Sequence, residues 1–271
     1  MTFITDPQIK LIGKPVLNIE GIVAFMDDHG YWWPELERDL DGFASLADKD
    51  AEWIVETGGR NCYQSWAKAG EPPKGRSHDD HIKHLIDSGH HSCLEHANLT
   101  FMIWNVSRSL SHELVRHRLA SYSQLSQRYV DSSDVNFIVP QSIQQLGEDH
   151  PLYTEWKRHC EQSVELYEKL TSELSELYRD VPDKTERRKL ARQASRSVLP
   201  NATETKIMIT MNIRSIRHFI KLRASRAADL EIRRLAVKMY HLLENAYPVF
   251  TYGMYLKKEN DGTETVEFVD S

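Results

Sequence analysis

The run Leu99-Thr-Phe-Met-Ile-Trp-Asn-Val106 is apolar and β-prone, and this length and composition require a largely buried strand. Ser107 follows at once and can cap a helix, so Ser107 to Val115 reads as a helix entered through a serine hydroxyl. What comes next is therefore delivered to one defined place by a strand and a helix. It is Arg116-His-Arg118, followed by a polar, serine-rich stretch expected to be a turn and containing Ser121, Ser126 and Arg128. Successive residues turn about 100° on a helix, so the three adjacent side chains of the triplet must reach different partners. Arginine forks suit carboxylates and phosphates, and serine hydroxyls donate to the same oxygens, a combination suited to holding a nucleotide.

The 271 residues can bury a substantial core, as one large domain or one domain with an appendage. Cys62, Cys93 and Cys160 lie far apart in no C-x-x-C pattern, which fits packed thiols in a reducing cytoplasm better than a disulfide framework. The N-terminus shows no basic segment leading into an apolar one, and no run approaches a membrane span, so a soluble, unexported protein is expected.

Net charge is −6, yet the cations are grouped. Arg108, Arg116, Arg118 and Arg128 stand against Glu113; Arg187, Arg188, Lys189, Arg192 and Arg196 against Glu186; and Asn212 to Arg226 holds cations and no acid. Compact basic islands on an acidic protein suit a small polyanion, whereas a nucleic-acid binder is more often basic overall. A histidine phosphatase also joins arginine and histidine in sequence, but it would want glycine after the histidine, where Arg118 stands.

Further expected elements are a strand over Ile9 to Val16, a loop over Ala69 to Arg76, a helix over His78 to Ser88 and a short strand at Phe137 stopped by Pro140. Long amphipathic helices are expected over Tyr153 to Tyr178 and Glu186 to Ser197. Ile207 to Met211 reads as a strand, Ile213 to Arg223 and Asp229 to Glu244 as helices, and Thr265 to Val269 as a hairpin strand after Asp261-Gly262. The class is α+β, a mixed sheet packed with long helices. His78, His81 and His84 could share a helix face, but without Cys or an H-E-x-x-H pattern no metal is expected. In the 213–223 helix, Arg214 and His218 fall together at i and i+4, with Arg223 on a separate face, so that two ligands could be served.

With both constellations in view, the chain closely resembles the flavin-dependent thymidylate synthases, especially their actinobacterial-type branch. The family signature, R-H-R-x-x-S and then S-x-R, is matched by Arg116, His117, Arg118, Ser121, Ser126 and Arg128. Leu94-Glu95-His96, Arg196-Ser-Val-Leu-Pro200 and the Asn212 to Arg223 helix support it, and the resemblance covers roughly Asp50 to Tyr247. It implies a synthase domain over 51–250, preceded by an N-terminal segment, 1–50, packed on the core and followed by a tail, 251–271.

The resemblance further implies a homotetramer with active sites at subunit interfaces, methylating dUMP to dTMP. The carbon would come from 5,10-methylenetetrahydrofolate and the reducing equivalents from NADPH through FAD, without nucleic-acid or membrane partners. By position, His96, Asn98, Arg116, His117, Arg118, Gln124, Asn212, Arg214 and His218 are the implied FAD contacts. Glu113, Leu114, Val115, Arg116, Gln124, Leu125, Ser126, Gln127, Arg128, Arg196 and Arg223 are the implied dUMP contacts. Uracil reacts at its fifth carbon when negative charge develops on the ring, and Arg223 is assigned to stabilise that charge. Arg128, Arg196 and Ser126 are assigned to the phosphate. Ser126 is read as a binding group rather than a nucleophile. Many members carry Asn-Glu where this chain has Ser123-Gln124, which exchanges a charged acceptor for a neutral amide.

Overall fold

The apolar run at Leu99 forms the second strand of a four-stranded sheet and lies at its centre of packing. A computed structural model describes residues 1–33, 36, 43–68 and 76–269. The expected loop from Ala69 lies, apart from its last residue, outside the described residues.

In chain order the elements are β1 (Phe3–Ile4), β2 (Gln8–Gly13), α1 (Ile19–His29), β3 (Tyr31–Trp32), α2 (Phe43–Tyr63), β4 (Ala67–Lys68) and α3 (His78–Asp87). After the 3-10 turn His91–Glu95 come β5 (Asn98–Ser107), α4 (Arg108–Leu114), β6 (Ala120–Gln124), β7 (Phe137–Ile138), α5 (Gln141–Gln144), α6 (Pro151–Leu177) and α7 (Lys184–Ser195). The chain closes with β8 (Glu204–Asn212), α8 (Ile213–Arg223), α9 (Leu230–Ala246), β9 (Met254–Lys258) and β10 (Glu264–Phe268).

The sheet order is β2-β5-β8-β6, and every pairing in it is antiparallel. The class is α+β as expected, but the sheet is not mixed: among the described residues parallel pairing occurs between β1 and β7 alone. Strand alternation sends Leu99, Phe101, Ile103, Ile207, Ile209 and Met211 to one face, where all are buried. Against them lie Ile213, Ile216, Phe219 and Ile220 of α8 and Ile232, Leu235, Met239 and Leu243 of α9, spaced so that one helical stripe faces the sheet. Each such fully buried side chain contributes about 1.5–3 kcal/mol relative to exposure. β2, near the N-terminus, belongs to this sheet, pairing with β5 from Gln8 opposite Trp104 onward.

Two local features aim the chain after β5. The register shifts between Ile103 and Val106, and Asn105 there takes φ 56°, a left-handed conformation that asparagine tolerates better than most residues. The shift leaves Val106 and Ser107 both buried. Ser107 Oγ accepts from Leu110 N at 2.9 Å and donates to Glu231 at 2.6 Å, capping α4 and fixing it to α9. Of the serine-rich stretch beyond the triplet, Ala120 to Gln124 is a strand rather than a turn, because β6 finds a free edge on β8 and pairs with it from Ala120 opposite Met211 to Gln124 opposite Ile207, and the expected turn follows over 127–129.

Candidate active site

One end of the sheet gathers the motifs. Asn98 and Asn212 are cross-strand partners at the start of β5 and the end of β8, and Ala120 stands beside them on β6. Asn212 caps α8, its side chain accepting from Ser215 N at 2.8 Å. Arg214, in the first turn of that helix, reaches Glu95 of the 3-10 turn at 2.5 Å. The triplet itself occupies the connection between α4 and β6, and Tyr122 pins it there. The Tyr122 hydroxyl lies 2.7 Å from the His117 carbonyl and 2.8 Å from that of Leu114, one proton serving both.

A pocket of about 1260 Å³ opens at this end, larger than most small-ligand clefts. Its cationic wall is Arg116, Arg118, Arg214, Arg217, Lys221 and Arg223. Apolar surface comes from Leu94, Leu119, Met211, Met254 and Phe268. Such a lining fits a dinucleotide with two phosphates and a flat ring system, as FAD requires. Arg223 stands at the opposite end of α8 from Arg214. The pocket wraps the end of α8, so Arg214, His218 and Arg223 all line it.

His117 is the joint between the two constellations. Its Nε2 accepts from Arg223 Nε at 3.0 Å, and the Arg223 Nη1 donates to Glu113 at 2.7 Å. Burial first, then the charge of Arg223 and His218, lowers the His117 ring to about 4. It is therefore neutral near pH 7, as an acceptor must be.

The hairpin β9–β10 forms the wall that motif reading missed. Within 251–269, Tyr252, Gly253, Met254, Tyr255, Phe268 and Val269 line the pocket. Gly262, at φ 80°, makes the hairpin turn, and Val266 N bonds Ala224 O at 3.0 Å to seat the hairpin on the end of α8. Arg217 binds the carbonyls of Phe250 and Tyr252 and, with Lys221, faces the Phe268 ring. The only sequence signal for this wall was the Asp-Gly turn between β-prone runs.

The remaining expected site residues lie elsewhere. His96 packs near Gly58, and Asn98 donates to the His96 carbonyl. Leu114 is fully buried, so its side chain belongs to the core rather than to a ligand surface. The Gln124 amide donates to Ser111 and Thr205, which spends its nitrogen inside the sheet. At the far end of β6, about 14 Å from Ala120 at roughly 3.4 Å per residue, lie Leu125, Ser126, Gln127 and Arg128. Ser126 Oγ accepts from Arg128 N at 3.3 Å, and no histidine bonds it among the described residues. Arg128 Nε is buried with no hydrogen-bond partner among the described residues. Arg196 belongs to this end too: burial first, then its charge, lowers the guanidinium of Arg108, whose Nη1 reaches the Leu125 carbonyl.

The three spaced histidines of α3 do not converge. His78 is bonded by Glu56 at Nδ1 and Glu52 at Nε2; His81 Nε2 is buried without a partner; His84 bonds Ser88. Burial would lower the His78 ring, but the bonds and charges of Glu52 and Glu56 outweigh it and raise it to about 9. Glu52, His78 and Asp79 have ligand-type atoms within 4.8 Å of one another. No helix among the described residues is long and apolar enough to cross a membrane.

The model of a family described as thymidylate synthase complementing protein matches residues 45–249. The flavin-dependent thymidylate synthase of Mycobacterium avium (strain 104) is 45% identical over 228 residues, covering 81% of this chain and 89% of the relative. That of Mycobacteroides abscessus is 45% identical over 233 residues with the same coverage. The enzyme of that name from Mycobacterium tuberculosis (strain H37Rv) is 43% identical over 228 residues, again covering 81% and 89%.

Proposed function

This chain belongs to the flavin-dependent thymidylate synthase family, and from that premise we propose how its residues divide the work of making dTMP. It is an FAD-dependent enzyme of dTMP biosynthesis. The carbon donor is 5,10-methylenetetrahydrofolate and the reductant NADPH. When bound, FAD carries the reducing equivalents between reductant and nucleotide.

The observation that carries the reading is Arg223 bridging His117 and Glu113 on the wall of the cationic pocket. Arg116, His117, Arg118, Arg214 and His218 hold the flavin, the arginine charges meeting its phosphates. His96, Asn98 and Asn212 shape the same end of the sheet, chiefly through caps and strand pairing, and Gln124 acts from the other end of β6. Arg223 spends Nε and Nη1 on the protein, which leaves Nη2 to face the uracil ring as negative charge develops there. Glu113 holds that guanidinium in place, and Leu114 and Val115 contribute backbone at the end of α4.

Ser126, Arg128 and Arg196, with Leu125 and Gln127 around them, take the dUMP phosphate. They stand at the opposite end of β6 from the pocket, so one complete site draws its phosphate half from a neighbouring subunit. Val115, Leu119, Leu125, Tyr129 and Val130 are exposed apolar side chains flanking this edge strand, a surface suited to burial between copies. A homotetramer in the cytoplasm follows as the proposed assembly and location. Purified protein given dUMP, methylenetetrahydrofolate and NADPH should form dTMP only with FAD restored. Product independent of FAD, or none in either case, overturns the reading.

A further inference from the structure

Two of the three thiols expected to be packed lie on elements that meet. Cys62 lies in the last turn of α2, and Cys93 in the 3-10 turn His91–Glu95. Two contacts bracket them. Gly58, one helical turn before Cys62, approaches so closely that a Cβ there would lie 3.8 Å from both Cα and Cβ of Cys93. Tyr63, the residue after Cys62, stacks on His90 with ring centroids 4.7 Å apart, three residues before Cys93. Burial first, then the nearby Cys62, raises the Cys93 thiol above its ordinary value. Cys62 is exposed and Cys93 buried, which is the arrangement of an attacked thiol and a resolving one. Cys160, by contrast, is buried in a separate cluster with Phe137 and Val164.

We propose that Cys62 and Cys93 form a redox-modification site, in which a hydroperoxide oxidises Cys62 and Cys93 closes a disulfide between α2 and the 3-10 turn. In the first step the Cys62 thiolate attacks one peroxide oxygen, the O–O bond breaks, and hydroxide leaves to become water. Cys62 is then a sulfenic acid. In the second, the Cys93 sulfur attacks the Cys62 sulfur, the S–O bond breaks, and the departing oxygen takes a proton to leave as water while Cys93 gives up its own. Two thiols lose two electrons, and one hydroperoxide is reduced.

The bond has a target within reach. The turn that holds Cys93 also carries His91 and Leu94 of the pocket wall and Glu95, the partner of Arg214. Gly58 itself would contact His96 Cδ2 at 3.2 Å if it bore a Cβ. Tying α2 to the turn therefore acts on the proposed flavin pocket, and this consequence alone rests on the functional reading above.

The test is hydrogen peroxide treatment of the assembled holoenzyme, followed by alkylation in denaturant and peptide mass spectrometry. The expected result is a Cys62–Cys93 linked peptide lighter by two hydrogens, with Cys160 still alkylated and the link reversed by dithiothreitol. C62S, an exposed replacement, should abolish the link, and C160S should retain it. Cys62 recovered as a sulfinate, or still reduced, with no linked peptide overturns the site. Bound flavin fluorescence, read on the same sample, should show flavin lost on linking and regained on reduction. Linked protein that keeps all its flavin overturns the coupling but leaves the disulfide standing.

Discussion

Arg223 donates from Nε to Nε2 of His117 at 3.0 Å, across 106 residues of sequence. This one bond ties the end of α8 to the Arg-His-Arg connection, and it needs the neutral ring that burial, then the charges of Arg223 and His218, favour. A histidine that accepts at Nε2 carries its proton on Nδ1 and cannot be the cation.

The His117 ring should therefore titrate near pH 4 rather than near its ordinary 6.5. Its folded value lies below the unfolded one, so its contribution to stability is fully present above about pH 6.5 and is lost as pH falls through about 4. Ring NMR shifts of the folded protein, assigned with a His117→Asn variant, would show this directly. A midpoint near 6.5 would mean that the Arg223 bond does not form.

His78 should show the opposite sign. Its value of about 9 lies above the unfolded 6.5, so the stability it supplies is present below pH 6.5 and lost as pH rises through 9. His78→Asn would leave Glu52 and Glu56 facing one another beside Arg60, at a cost of about 3 kcal/mol. Denaturant unfolding at pH 7 and pH 9.5 measures both effects. A variant as stable as the parent at pH 7 contradicts the network.

Tyr122→Phe keeps the ring and removes the hydroxyl that holds the Leu114 and His117 carbonyls. The expected loss is about 1 kcal/mol of stability together with weaker flavin retention, since the triplet is then less fixed. Unchanged flavin affinity would place the restraint elsewhere.

Arg128→Ala should weaken dUMP binding roughly tenfold or more, the scale of one charge-assisted bond, while leaving flavin content intact. The buried, unpartnered Nε of Arg128 is the reason to expect it. Calorimetric titration with dUMP decides the point, and an unchanged dissociation constant removes Arg128 from the phosphate site.

Much of this arrangement was legible in the sequence because local chemistry dictated it. Ser107 caps α4, and Ile213–Arg223 is helical over the expected span, since capping and spacing are properties of neighbouring residues. What depended on distant partners was not legible. Ser121 to Gln124 read as a turn because their polarity hides an edge strand, whose pairing is supplied by β8. The approach of α2 to the turn carrying Cys93 and the hairpin wall of the pocket both arise from packing between elements far apart in sequence, which no spacing rule reports. Arg223 looked remote from Arg214 on a helical wheel, but a long side chain at a helix end reaches around it.

The most direct test of the account is Arg223→Ala, assayed for both dTMP formation and bound FAD in the same preparation. With Arg223 at the meeting point of flavin and nucleotide, turnover should fall by about a hundredfold or more, the scale of a lost charge-stabilising donor, while most of the flavin stays bound. Equal losses of flavin and turnover would contradict it and make Arg223 a flavin-holding residue.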